Sequence, residues 1–157
     1  MLKKILIGLV VVLVLLQFVP MDKTNPVADP AKDFLVVHQT SPEIATIIKN
    51  SCYDCHSHQT EYPWYSNVAP VNFFIKNHIL EARKHLNFSL WSEYSDKKRD
   101  HKLEECSEAV SEGEMPLKSF TWMHPEARLS DDQKALLADY FKSLRGNTPM
   151  EGDTDEH

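Results

Sequence analysis

Ser51-Cys52-Tyr53-Asp54-Cys55-His56, set directly behind Ser41-Pro42-Glu43-Ile44-Ala45-Thr46-Ile47-Ile48, is the stretch on which the reading of this chain turns. Ser41 offers a capping hydroxyl, Pro42 suits the first helical position, and Glu43 places an acid in the first turn. Ile44, Ile47 and Ile48 then recur at helical spacing. Two thiols and an imidazole therefore follow at the end of a short helix, and a bend there would turn all three toward one side.

That geometry has a definite chemistry. Two thiols at this spacing can add to the two vinyl groups of a porphyrin, while the imidazole beside the second thiol ligates the iron. The reading is one covalently attached haem c on Cys52 and Cys55, with His56 as proximal iron ligand. Other uses of the same residues stay open. A structural zinc site would combine Cys52 and Cys55 with Cys106 and a histidine, although such sites usually bring a second close ligand pair and Cys106 stands alone. A thioredoxin-like redox pair normally opens a helix that follows a strand, a setting absent from this sequence. A Cys52–Cys55 disulfide would close a very small loop and leave His56 unexplained.

Upstream, Lys3 and Lys4 precede an apolar run from Ile5 to Val19 broken only by Gly8 and Gln17. This is the pattern of an export segment, and haem is attached to such motifs outside the cytoplasmic membrane. The run lies between a minimal signal core and the roughly 20 residues that span a bilayer comfortably. Residues 1–20 are read as a signal anchor or signal peptide. The absence of a small-x-small cleavage site or a lipid-anchoring cysteine favours the anchor. The two lysines would remain on the cytoplasmic side, giving a single-pass inner-membrane protein of a bacterium with its folded domain in the periplasm. Residues 21–33, with Pro26, Pro30 and several charges, have no apolar period and read as an extended linker.

Downstream, the folded unit is expected over 34–146. A helix starting near Pro70 carries Val71, Phe74, Ile75, His78, Ile79 and Ala82 on a predicted apolar face. A second runs from about Ser95 to Glu112 with the stripe Leu103, Cys106, Ala109 and Val110 and a stop at Gly113. A third follows the capping box Ser130-Asp131-Asp132-Gln133 and buries Leu136, Leu137, Tyr140, Phe141 and Leu144. No strand pair or repeat is evident, so the fold class is mainly α. Residues 147–157 read as an acidic flexible tail. A net charge of −6 gives no electrostatic reason for a nucleic-acid partner.

The other side of the iron decides the function. Gly113-Glu114-Met115-Pro116 puts a thioether just beyond a helix stop, and Met115 is read as the distal ligand. Soft sulfur favours ferrous iron and raises the potential, as a one-electron carrier requires. His78 is the alternative distal ligand; Met123 and His124 are nearby competitors. His58, His85 and His101 read as surface or local polar groups. An open distal site with His78 or His124 close by would instead suit a gas sensor or peroxidase-like protein. Tyr62, Trp64, Tyr65, Phe73, Phe74, Trp91 and Trp122 are expected to pack in the core or cover the haem.

Two resemblances rest on these residues. The order of short helix, Cys52-x-x-Cys55-His56, Val110-x-x-Gly113-x-Met115-Pro116 and closing helix resembles class I c-type cytochromes, which implies a helical domain around one haem with its first and last helices in contact. More narrowly, Cys52-Tyr53-Asp54-Cys55-His56-Ser57, Tyr62-Pro63-Trp64-Tyr65, Ala69-Pro70-Val71, His85-Leu86-Asn87-Phe88-Ser89, Gly113-Glu114-Met115-Pro116 and His124-Pro125-Glu126-Ala127 resemble the bacterial haem-binding domain family. That resemblance covers most of 34–145 and implies haem binding, with redox protein partners for a carrier. The longer aromatic section between Ser57 and Trp91 departs from the simplest class I pattern.

Overall fold

A computed structural model describes residues 1–146, and the expected acidic tail lies outside the described residues. Among the described residues the regular structure is helical, without strands. The α-helices are α1 Leu2–Leu16, α2 Phe34–Val37, α3 Pro42–Ile48, α4 Asp54–His56, α5 Val71–His85, α6 Asp96–Ser111, α7 Lys118–Met123 and α8 Asp131–Leu144. Short 3-10 segments at Pro30–Lys32, Trp64–Asn67, Phe88–Glu93 and Pro125–Ala127 join them. The mainly helical class is as expected.

The run into the cysteines is one continuous helical path. Ser41 caps α3 by accepting from the Ile44 amide at 3.5 Å. Instead of stopping at Ile48, the backbone widens into a π turn over Lys49–Tyr53 and tightens again into α4. Such π turns recur at functional sites because they re-phase the side chains that follow. Ser57, extended at φ −143, ends the path. Its hydroxyl donates to the Tyr53 carbonyl at 2.8 Å and accepts from the Gln59 amide at 2.9 Å.

The core gathers around Phe34, which is fully buried. Its ring meets Trp91 edge-on at 4.9 Å, Phe88 at 5.1 Å and Phe141 at 6.0 Å. Ile48, Leu103, Val110 and Leu137 complete the cluster. Each such aliphatic side chain contributes about 1.5–3 kcal/mol on burial. Helices α6 and α8 pack along one another, with the Ser107 hydroxyl donating to the Ala138 carbonyl at 3.0 Å. Arg145 closes their ends by bonding Asp100 and Glu104. The first helix of the folded unit, α2, meets the last through Phe34 and Phe141, and the Thr40 and Tyr140 hydroxyls lie 2.6 Å apart.

Two helix ends follow their sequence signals closely. The capping box of Ser130 and Gln133 is formed in both directions. At the end of α6, Gly113 takes φ +72; the Gly113 amide donates to the Val110 carbonyl at 3.2 Å and the Glu114 amide to the Ala109 carbonyl at 2.9 Å. This is a Schellman closure, and it places Met115. A Cβ at Gly113 would meet nothing within 4 Å, so Gly113→Ala is expected to cost only backbone strain, about 1–2 kcal/mol. Urea unfolding measures it.

Two expectations are corrected. The inner face of α5 is only partly the expected apolar stripe: Ile79 of that stripe is buried, but Val71, Phe74 and His78 face outward and Asn72 is buried instead. Of the aromatic set expected in the core, Trp91 is there, but Trp64, Phe74 and Trp122 are exposed. The N-terminal helix stops at Leu16, before the apolar run ends, and among the described residues no helix is long and apolar enough to cross a membrane. Residues of the 21–33 segment, though irregular, are docked. Asn25 donates to the Thr60 carbonyl at 2.9 Å and accepts from Arg83 at 3.0 Å.

Candidate functional site

Cys52 and His56 stand on the wall of an apolar cavity of about 160 Å³. Cys106, Ala109 and Val110 of α6 form another wall, Met115 enters from the Schellman turn, and Leu86, Phe88 and Phe141 complete the lining. His85 and Glu105 bring its ionisable groups. Cys55 is partly buried beside this wall but is not part of the lining. The sequence therefore brought Cys52, His56 and Met115 to one place.

His56 is oriented by a backbone acceptor. Its Nδ1 lies 3.1 Å from the Leu86 carbonyl oxygen. A carbonyl only accepts, so Nδ1 carries the hydrogen and the neutral ring keeps its lone pair on Nε2, the arrangement used by metal-ligating histidines. Burial holds the imidazole below its ordinary pKa, which keeps that lone pair free of a proton. Phe88 packs edge-on to the ring at 6.5 Å.

The Leu86 carbonyl is itself fixed by a polar lattice. The Asn87 amide donates to the Tyr94 hydroxyl at 2.8 Å, and the Asn87 side chain accepts from the Ser89 amide at 3.0 Å. Asn87 Nδ2 donates to His58 Nε2 at 2.8 Å, and the His58 amide donates to the Ser89 hydroxyl at 3.0 Å. The segment after α5 is thus laced to the segment after His56. From the other side, buried Asp33 accepts from the Leu35 amide, the Tyr53 hydroxyl at 2.7 Å and Gln59 at 3.0 Å. Burial and that bond push the Tyr53 hydroxyl far above its ordinary range. Sequence reasoning missed Leu86, Asn87 and Asp33 as supports.

The three thiols are free. Burial pushes Cys52 up to about 12, with Cys55 close by, and Cys55 up to about 11, with Asp54 adding to the effect. Burial also raises Cys106. Protonated thiols are the opposite of the low-pKa thiolate that a thioredoxin-like pair needs. The zinc reading also fails: among the described residues no three His, Cys, Asp or Glu side chains converge to hold a metal ion.

The other distal candidates lie elsewhere. His78 is exposed, with Nδ1 bonded to the Phe74 carbonyl of its own helix at 2.9 Å. His124 accepts from the Tyr65 hydroxyl at 2.6 Å, donates to Glu126 at 3.0 Å and stacks on Phe120 at 4.4 Å. Neither His78, Met123 nor His124 lines the cavity.

The donor set and apolar lining fit a haem, while the free volume is below the roughly 300–1,000 Å³ of typical ligand pockets. A family model described as a haem-binding domain matches residues 11–143, from within α1 almost to the end of α8. The chain belongs to the haem-binding domain family. Neither a curated protein nor a solved structure shows significant similarity to it.

Proposed function

We propose that this haem-binding domain carries one haem c, attached through Cys52 and Cys55, and serves as a one-electron carrier. The observation that supports this most is the placing of Cys52, His56 and Met115 on one apolar cavity, with the His56 ring turned by the Leu86 carbonyl. When bound, the haem iron supplies a one-electron couple. His56 offers Nε2 as proximal ligand, and the Leu86 carbonyl keeps the proton on Nδ1. Met115 offers a thioether as distal ligand, a soft donor that favours the reduced state. Val110, Leu86, Phe88 and Phe141, which line the cavity, would exclude water from a haem held there. We read the arrangement as class I cytochrome c-like, supported by the meeting of α2 with α8.

The apolar N-terminal helix is read as an export segment that stays in the inner membrane, with the haem domain in the periplasm beside redox protein partners. At about 1.5 Å per residue its 15 residues give about 22 Å, so it would need its flanking residues or local bilayer thinning to reach across. The basic pair Lys3 and Lys4 supports the orientation.

Replacement of Met115 by alanine separates the carrier from a sensor or peroxidase-like protein. The expected result is loss of the weak far-red sulfur-to-iron band, a lower reduction potential, and rapid carbon monoxide binding by the ferrous variant where the wild type binds slowly. A wild type that already binds carbon monoxide promptly, with spectra indifferent to the substitution, would remove Met115 from the site and favour an open iron.

A further inference from the structure

The outward face of the Trp64–Phe74 region is the least expected surface of the fold. Trp64 is 74% exposed and Phe74 66%, and Val68 and Val71 lie open between them in sequence. Val71 and Phe74 belong to the apolar stripe that an amphipathic α5 would turn inward, yet only Ile79 of that stripe is buried, together with Asn72. Trp64 and Phe74 are thus large rings displayed to solvent on a 3-10 turn anchored by buried Ser66 and a helix anchored by buried Asn72 and Ile79.

The base of α1 is fastened to this same region. Gln17 Nε2 donates to the Ala69 carbonyl at 3.1 Å, and the Ala69 amide donates to Gln17 Oε1 at 3.0 Å. Ala69 itself is buried, and it lies between the exposed Val68 and, past Pro70, the exposed Val71. Lys23, just beyond α1, bonds Asn67 of the same turn. None of the side chains of α1 is buried in the protein. Where an apolar helix leaves a bilayer, aromatic rings and lysines are the groups that settle at the lipid–water boundary.

We propose that Trp64, Val68, Val71 and Phe74 form a lipid-docking surface that seats the haem domain on the bilayer entered by α1. This rests on the reading of α1 as a membrane-inserted helix. The two-bond clasp between Gln17 and Ala69 sets the depth: it holds the exposed rings at the level where the helix emerges. Lys23 and Asn67 then face lipid headgroups beside them, and the domain lies against the membrane instead of swinging on a free linker.

The test uses the full-length haem-loaded protein in vesicles of phosphatidylethanolamine and phosphatidylglycerol that contain a photoactivatable lipid, with labelled peptides mapped by mass spectrometry. Label on α1 and on the peptide spanning 62–76 is the expected result. A Trp64→Ser/Phe74→Ser variant should lose label on the second peptide severalfold while keeping the wild-type visible spectrum and the α1 label. Label on α1 alone overturns the docking surface and leaves the anchor intact. Label on neither peptide overturns the anchor and the docking surface with it. Equal labelling of 62–76 in the variant also overturns the assignment of these rings.

Discussion

Replacing both Cys52 and Cys55 by alanine is expected to abolish covalent haem, leaving a protein from which acidified organic solvent extracts all the pigment. Each thiol can form one thioether, so the single variants should retain one bond and accumulate poorly, and the double variant none. Both side chains are partly buried, next to the helical path that ends at Ser57. Alanine fits that path, and the fold is expected to survive. His56→Ala tests the third member: with the thiols intact, some covalent haem should form, but its low-spin spectrum should be lost if Nε2 is the proximal donor, as proposed. Pigment that still resists extraction from the double cysteine variant would refute the attachment site.

The largest loss of stability is expected from Phe34→Ala. The ring is fully buried at the junction of α2, α8 and the Phe88–Glu93 segment, in contact with Trp91, Phe88, Tyr140 and Phe141. Removing a buried aromatic ring costs about 3–5 kcal/mol, because the surrounding rings cannot fully collapse into the space. Against a total of roughly 5–15 kcal/mol for a domain, that is at least about a fifth of its stability. Urea unfolding of the haem-loaded protein should show the midpoint falling accordingly; a change under about 1 kcal/mol would mean that Phe34 is not the centre of the core.

What the sequence made legible was local. Ser41, Ser95 and Ser130 mark helix starts because each hydroxyl satisfies a free amide on the first turn, and all three caps form. Gly113 marks the end of α6 because a left-handed turn is required there. Cys52, His56 and Met115, which line one cavity, were pointed to by the Cys-x-x-Cys-His spacing and by the helix stop before Met115. The inward face of α5 was not: hydrophobic periodicity identifies a helix but does not say which neighbours exist to cover each side. Asn72 is inside and Phe74 outside for reasons of packing at a distance along the chain. The acceptor that orients His56 was hidden for another reason. Leu86 contributes a backbone carbonyl, which every residue possesses, and its position depends on Asn87 bonding His58 and Ser89 across the loop.

The most direct measurement is the visible spectrum of the purified protein, expressed with its own N-terminus in a host that matures c-type haem, before and after denaturation and solvent extraction. Covalent attachment through Cys52 and Cys55 predicts a c-type reduced spectrum that stays with the denatured polypeptide at one haem per chain. Haem that leaves with the solvent would contradict the thioether site while preserving haem binding, and a colourless folded protein would contradict the haem site itself.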